Sequence, residues 1–182
     1  PGARRAGRLA DAFIAGPSTN LQRTLRLVNA YREAATQAGR QPQVVLMRDA
    51  WVSETRQQAE EIYGPEVLDA YKYYWRNGLA EFKSFTSENE FTIENIAPDR
   101  LILGDPEECA AEFHRWSDAI GADYFHLRLR HAHSGGPPHE KIMEEIKDEA
   151  SRPIIQDFSR RADRAAKDRK KAATAIIDRC FA

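Results

Sequence analysis

GDPEECAAEFHRWSDAIGADYFHLRLRHAH, residues 104–133, is the stretch whose reading decides the fold. It opens as a helix. Asp105 is a capping residue type, Pro106 suits the first helical position, and Glu107 and Glu108 favour the positive end of the helix dipole. Cys109, Phe113, Trp116 and Ile120 recur at helical spacing, so one face is apolar. Gly121 fits a left-handed cap, and residues 124–130 then alternate as a strand. Phe125, Leu127 and Leu129 form one face of that strand; Tyr124, His126, Arg128 and Arg130 form the other. A strand that is apolar toward a helix layer and polar on its other side points to a functional interior.

The same alternation of helix and strand extends toward the N-terminus. Residues 4–9 read as a short basic helix and residues 11–15 as a short buried strand closed by Gly16-Pro17. Thr19 and Gln22 have capping-box spacing, and Leu21, Leu25, Val28 and Tyr31 give the apolar stripe of a helix running to Gly39. VVLMRDAWVS, residues 44–53, reads as a buried strand. An excursion over residues 54–100 follows, in which a helix over residues 55–62 is expected to break at Gly64-Pro65. Eight of the chain's 17 aromatic residues fall in this excursion, where a plain connector would be small and polar. It is expected to pack as a subdomain of its own, to act as a lid over a ligand, or both. After residue 130, HAHSGGPP is a loop and residues 139–147 read as a helix. From residue 151 the composition shifts to a basic helical tail, in which residues 160–171 hold seven basic and two acidic side chains. The chain thus divides into a domain over 1–150, with its lid-like insertion at 54–100, and a tail over 151–182.

Composition sets outer limits. With 182 residues, 42% hydrophobic and 30% charged, the chain is long enough for one globular domain. A formal charge of -1 argues against a surface built for nucleic acid. No apolar run reaches the length of a membrane span and the first residues lack the apolar core of a signal peptide, so a cytoplasmic location is the expectation. Two cysteines are too few for a disulfide framework. The start without methionine, inside a helical stretch, suggests a processed chain or a piece of something longer.

Strands alternating with helices imply parallel pairing through crossover helices, hence an α/β class. Only three stretches, 11–15, 44–53 and 124–130, read as strands, with the long insertion after the second. Three such strands leave an open edge, and a complete eightfold barrel usually needs roughly 250 residues. The economical inference is the C-terminal portion of a (β/α)8 TIM-type barrel. No dinucleotide-binding glycine pattern or phosphate-loop lysine is present.

Four stretches carry a family resemblance: ARRAGRLADAFIAGP (3–17), RDAWVSETRQQAEE (48–61), LILGDPEECAAEF (101–113) and GADYFHLRLRHAHSGGPPHEKIMEEI (121–146). In this order and spacing they resemble the C-terminal part of the luciferase-like flavin-dependent monooxygenases, a family that also holds deazaflavin-dependent reductases. The resemblance implies an eight-stranded parallel barrel with flavin across its C-terminal mouth and a long insertion after the seventh strand. Residues 11–15, 44–53 and 124–130 would then be strands six, seven and eight. The implied cofactor is FMN, with deazaflavin (coenzyme F420) as the alternative. Much of the family's flavin contact comes from earlier strands, so the chain is expected to be inactive alone. It is expected to act with a small-molecule substrate, as a homo-oligomer or with an N-terminal barrel half.

Individual residues follow from pattern and resemblance together. Arg48 and Asp49 must point to opposite faces of their strand, and Asp49 is the expected inward member because Met47 and Trp51 share its face. Arg128 and Arg130 need carboxylates such as Asp49, or anionic ligand groups, opposite them. His131 and His133 lie just past the strand's C-terminal end, where barrel enzymes keep their chemistry, or are exposed loop histidines. On the family reading His131, His133 and Arg128 are the candidate catalytic residues. Asp49 and Arg130 are the candidate cofactor contacts, and Tyr71, Tyr74 and Trp75 the lid over the substrate. Two other classes stay open: a non-catalytic partial barrel that associates with a partner or itself, and a metal-dependent hydrolase using the His131-x-His133 pair, which lacks a recognisable third ligand.

Overall fold

The computed structural model describes residues 1–131 and 136–147. The chain runs α1 (Gly2–Leu9), β1 (Phe13–Ala15), α2 (Leu21–Gln37), β2 (Val44–Val52), α3 (Arg56–Arg76), α4 (Ile93–Ile96), β3 (Leu101–Gly104), α5 (Pro106–Ile120), β4 (Tyr124–Arg128) and α6 (His139–Lys147). Short 3-10 turns at Ala80–Phe82 and Glu88–Glu90 lie between α3 and α4.

All four strands are parallel and β2 is their axis. β4 pairs with Val45–Asp49 of β2, while β1 pairs with Val44–Leu46 and β3 with Asp49–Val52. Because Val45 and Leu46 face both β1 and β4, and Asp49 faces both β3 and β4, β1 and β3 share one edge of β2 and β4 holds the other. Thus β1, β2 and β4 are consecutive barrel neighbours, and β3 takes over the edge where the three-residue β1 stops. The sheet is open, which makes the architecture a partial barrel.

The two faces of the sheet are packed differently. On the outer face, Ala15, Val44, Leu46, Ala50 and Val52 meet α2 and α5 in one core with Val28, Tyr31, Phe113, Trp116 and Ile120. Phe13 stacks on Tyr31 with centroids 5.2 Å apart, and Phe113 meets Phe125 at 4.2 Å. α5 begins at the expected cap, Asp105, which the structure shows in a capping box with Glu108, and ends at Gly121, whose φ of 60° is left-handed. Arg32 of α2 donates to the carbonyls that end α5, Ile120 O (2.8 Å) and Gly121 O (2.6 Å), locking α5 to α2.

On the inner face the register sets rows across the strands: Ile14, Val45 and Tyr124; then Met47 and His126; then Leu101, Asp49 and Arg128; then Leu103 and Trp51. α3 covers the upper, C-terminal rows. It builds a second core from Trp51, Ala59, Tyr63, Val67, Ala70, Tyr71, Phe82, Phe91, Ile96, Leu101, Leu103 and Ile142. The lower row is bare, with Ile14 56% and Tyr124 50% exposed.

The structure corrects the sequence reading in three places. A fourth strand, Leu101–Gly104, is present; four wholly buried residues are too short to show alternation. α3 does not break at Gly64-Pro65 but continues for 21 residues. Its apolar residues Ala59, Tyr63, Val67, Ala70 and Tyr71 are buried along its length, so tertiary packing overrides the proline. α2 is capped by Asn20, which accepts from Arg23 N at 2.9 Å, instead of by Thr19. Thr19 is instead buried, its hydroxyl donating to Gly16 O at 3.0 Å and meeting that of Thr24 at 2.8 Å. Aromatic residues of the excursion pack in one core with Trp51 of β2, Leu101 and Leu103 of β3 and Ile142 of α6. Residues 132–135, which include His133, and the basic tail at 151–182 lie outside the described residues.

Candidate functional site

Strand alternation sends Arg48 and Asp49 to opposite faces, and each is fully buried. Arg48 goes outward into the helix layer. It donates to Gly16 O (2.8 Å), Met47 O (2.9 Å) and Thr24 Oγ1 (3.1 Å), and its guanidinium lies 3.7 Å over the Trp116 ring. Burial lowers its pKa to about 10, so it is still a cation at neutral pH. Carbonyl oxygens and an aromatic face replace a carboxylate partner. Arg48 therefore ties the end of β1, α2 and α5 together and takes no part in the inner face.

Asp49 turns inward to the row it shares with Arg128. Arg128 forms a two-pronged pair with it, Nε to Oδ1 at 2.5 Å and Nη2 to Oδ2 at 3.0 Å. Tyr71 of α3 donates its hydroxyl to Oδ2 at 2.7 Å. Burial works against the charge on Arg128, but the hydrogen bonds and charge of Asp49 leave its pKa raised. For Tyr71, burial and then the Asp49 charge push the phenol well above its ordinary value, so it remains a donor. The pairing expected between strand arginines and Asp49 is thus made by Arg128, with a tyrosine from the insertion completing it.

A second tyrosine of α3 joins at the strand end. Tyr63 donates to Arg128 O at 2.8 Å and lies 3.0 Å from His131 Nε2, which is 4.0 Å from Asp49 Oδ1. His131 is only 1% exposed, which removes the exposed-loop reading. Trp51 stacks on Tyr63 with centroids 5.6 Å apart and planes 13° from parallel. Burial raises the Tyr63 pKa well above its ordinary value, and the charge of Asp49 adds to the effect.

The other candidate residues separate by position. The Tyr74 hydroxyl accepts from Arg128 Nη1 at 3.4 Å, on the side where the Arg128 side chain keeps 20% of its exposure. Trp75 turns away, its Nε1 donating to Phe85 O at 2.9 Å inside the insertion. His126 is exposed on the inner face of β4, and Arg130, also exposed, lies just past the strand's end. The structure therefore brings together Asp49, Arg128, His131, Tyr71 and Tyr74, and sets Trp75 apart. Tyr63 was missed; it was one aromatic among eight in the insertion, and nothing local marked it as a partner of the strand end.

Above this network, at the C-terminal end of β2, lies an open cleft of about 310 Å³ lined by Trp51, Ser53, Glu54, Gln58, Lys141 and Glu144 among others. Among the described residues, no group of three or more His, Cys, Asp or Glu side chains could hold a metal ion. No described helix is long and apolar enough to cross a membrane.

Comparison with known proteins supplies the family. Residues 1–123 match the model of the luciferase-like monooxygenases. No curated protein matches the chain. Among solved structures, the chain is similar to monooxygenase RslO1 from Streptomyces bottropensis, with TM-score 0.61 and 21% identity over 82% of this chain and 43% of that one. It is similar to riboflavin lyase (RcaE), solved with modified FMN and riboflavin, with TM-score 0.60 and 19% identity over 87% and 41%. A third likeness is to the coenzyme F420 dependent tetrahydromethanopterin reductase from Methanopyrus kandleri, with TM-score 0.58 and 19% identity over 86% and 48%. The chain thus spans between 41% and 48% of the length of these structures, and at such identities the likeness is one of fold.

Proposed function

The chain belongs to the luciferase-like monooxygenase family, and from that premise we propose that it supplies the C-terminal strands of a flavin-dependent oxidoreductase, with FMN or deazaflavin at the mouth above β2 and β4. The observation that carries this reading is the Asp49–Arg128 pair, set on the inner face at the C-terminal end of parallel strands. A bound flavin supplies the electron transfer that these side chains cannot perform.

The residues fit part of such a group. Ligand pockets typically span ~300–1,000 Å³, so the cleft of about 310 Å³ accommodates part of a flavin or a small substrate. Arg128 and Arg130 bring positive charge to the C-terminal end of β4, and Lys141 and Trp51 line the cleft itself. Both oxygens of Asp49 are occupied by Arg128 and Tyr71, so Asp49 orients Arg128 and holds its charge in place without touching the ligand itself. α3 seats the insertion on this pair and keeps water from it. The bare row of Ile14 and Tyr124 favours a sheet completed by further strands, without which turnover is not expected.

Titration with FMN and, separately, with deazaflavin tests the reading. One of the two should bind, and Arg130→Ala should weaken it by about tenfold, the loss of one charge-assisted hydrogen bond. Failure of both flavins to bind, or equal binding by the variant, would count against it.

A further inference from the structure

We infer that Tyr63 is a positioning residue that fixes neutral His131 as the Nε2–H tautomer. The inference deepens the proposed function and rests on His131 belonging to the flavin mouth, but its structural half stands without that reading. A tyrosine hydroxyl has one proton to donate. Tyr63 lies 2.8 Å from Arg128 O and 3.0 Å from His131 Nε2, and a carbonyl oxygen can only accept. Both bonds are made together only if the Tyr63 proton goes to the carbonyl and Nε2 carries a hydrogen directed at the phenol oxygen. Asp49 Oδ1, 4.0 Å from the same nitrogen, adds a negative charge on that side. In the opposite tautomer Nε2 would turn a lone pair toward the carboxylate, and the phenol could donate to it only by giving up Arg128 O.

The phenol is itself held. Its ring is stacked on Trp51, and it meets the imidazole with centroids 5.7 Å apart. In the neutral ring, Nε2–H places the lone pair on Nδ1. Nδ1 is then the acceptor or base of this buried ring. A helix of the insertion thus sets the proton state of a histidine at the end of a barrel strand.

The test is long-range proton–nitrogen NMR on the chain labelled with 15N-histidine, above the ordinary imidazole pKa of about 6.5. His131→Gln assigns the signals; if that variant does not fold, replacing the other histidines one at a time identifies His131 by elimination. In the unsubstituted chain the hydrogen should reside on Nε2 alone, and Tyr63→Phe should let the Nδ1–H form appear beside it. An Nδ1–H ring in the unsubstituted chain, or a Tyr63→Phe spectrum identical to it, would overturn the inference. No flavin is needed for the reading of either spectrum. A chain that shows the tautomer yet binds no flavin loses the proposed function and keeps the positioning role, and the reverse result separates them the other way.

Discussion

Asp49 and its neighbours show how far single residues could be read. Its inward direction followed from strand alternation, and its pairing with an arginine of the last strand followed from the cost of a buried unpaired charge. Which arginine, and that two tyrosines would join, did not follow. Tyr63 precedes His131 by 68 residues and Tyr71 follows Asp49 by 22, separations that local pattern does not bridge. These tyrosines also carry a pH dependence. Both phenols are raised in the folded chain, so the unfolded chain ionises first, near the ordinary tyrosine pKa of about 10. The stability that rests on their protonated state is full below that pH and falls as the pH climbs from there toward the raised values. Spectrophotometric titration should show Tyr63 and Tyr71 ionising only as the chain unfolds. Ordinary titration of Tyr63 and Tyr71 in the folded chain would contradict the buried network.

At the scale of elements, the helix and strand of residues 104–130 were legible because capping, period and a glycine stop agree at every step. α3 was not, because Gly64-Pro65 is a strong local break signal that a buried apolar stripe outweighs. Two glycines measure the difference between contact and propensity. A Cβ on Gly7 of α1 would lie 2.5 Å from Tyr31 O and 2.8 Å from the Ala34 Cβ of α2, neither of which can swing aside. A Cβ on Gly64 would meet only the tip of Ile93 at 3.3 Å. In urea unfolding, Gly7→Ala should cost about 1–3 kcal/mol through overpacking. Gly64→Ala should be neutral or gain up to about 1 kcal/mol of helix propensity. Equal losses at both sites would mean that α1 and α2 do not pack as closely as described.

For the whole molecule, the order of β1, β2 and β4 as parallel neighbours makes the partial barrel, and the expectation of strands six, seven and eight rests on that order. The alternation of elements and the polar inner face of β4 made the barrel class legible from sequence. The role of β3, which extends the β1 edge of β2 beyond the point where β1 ends, was hidden because only the third dimension shows which edge a four-residue strand joins. The same geometry turns the long insertion into a cover for the C-terminal rows and leaves the N-terminal row bare. The position of bound flavin is the most direct test: a crystal structure of the flavin complex should show the flavin at the C-terminal ends of β2 and β4, within hydrogen-bonding reach of Arg128 or Arg130. Flavin bound at the opposite end of the strands, or on the helix-covered outer face, would contradict it.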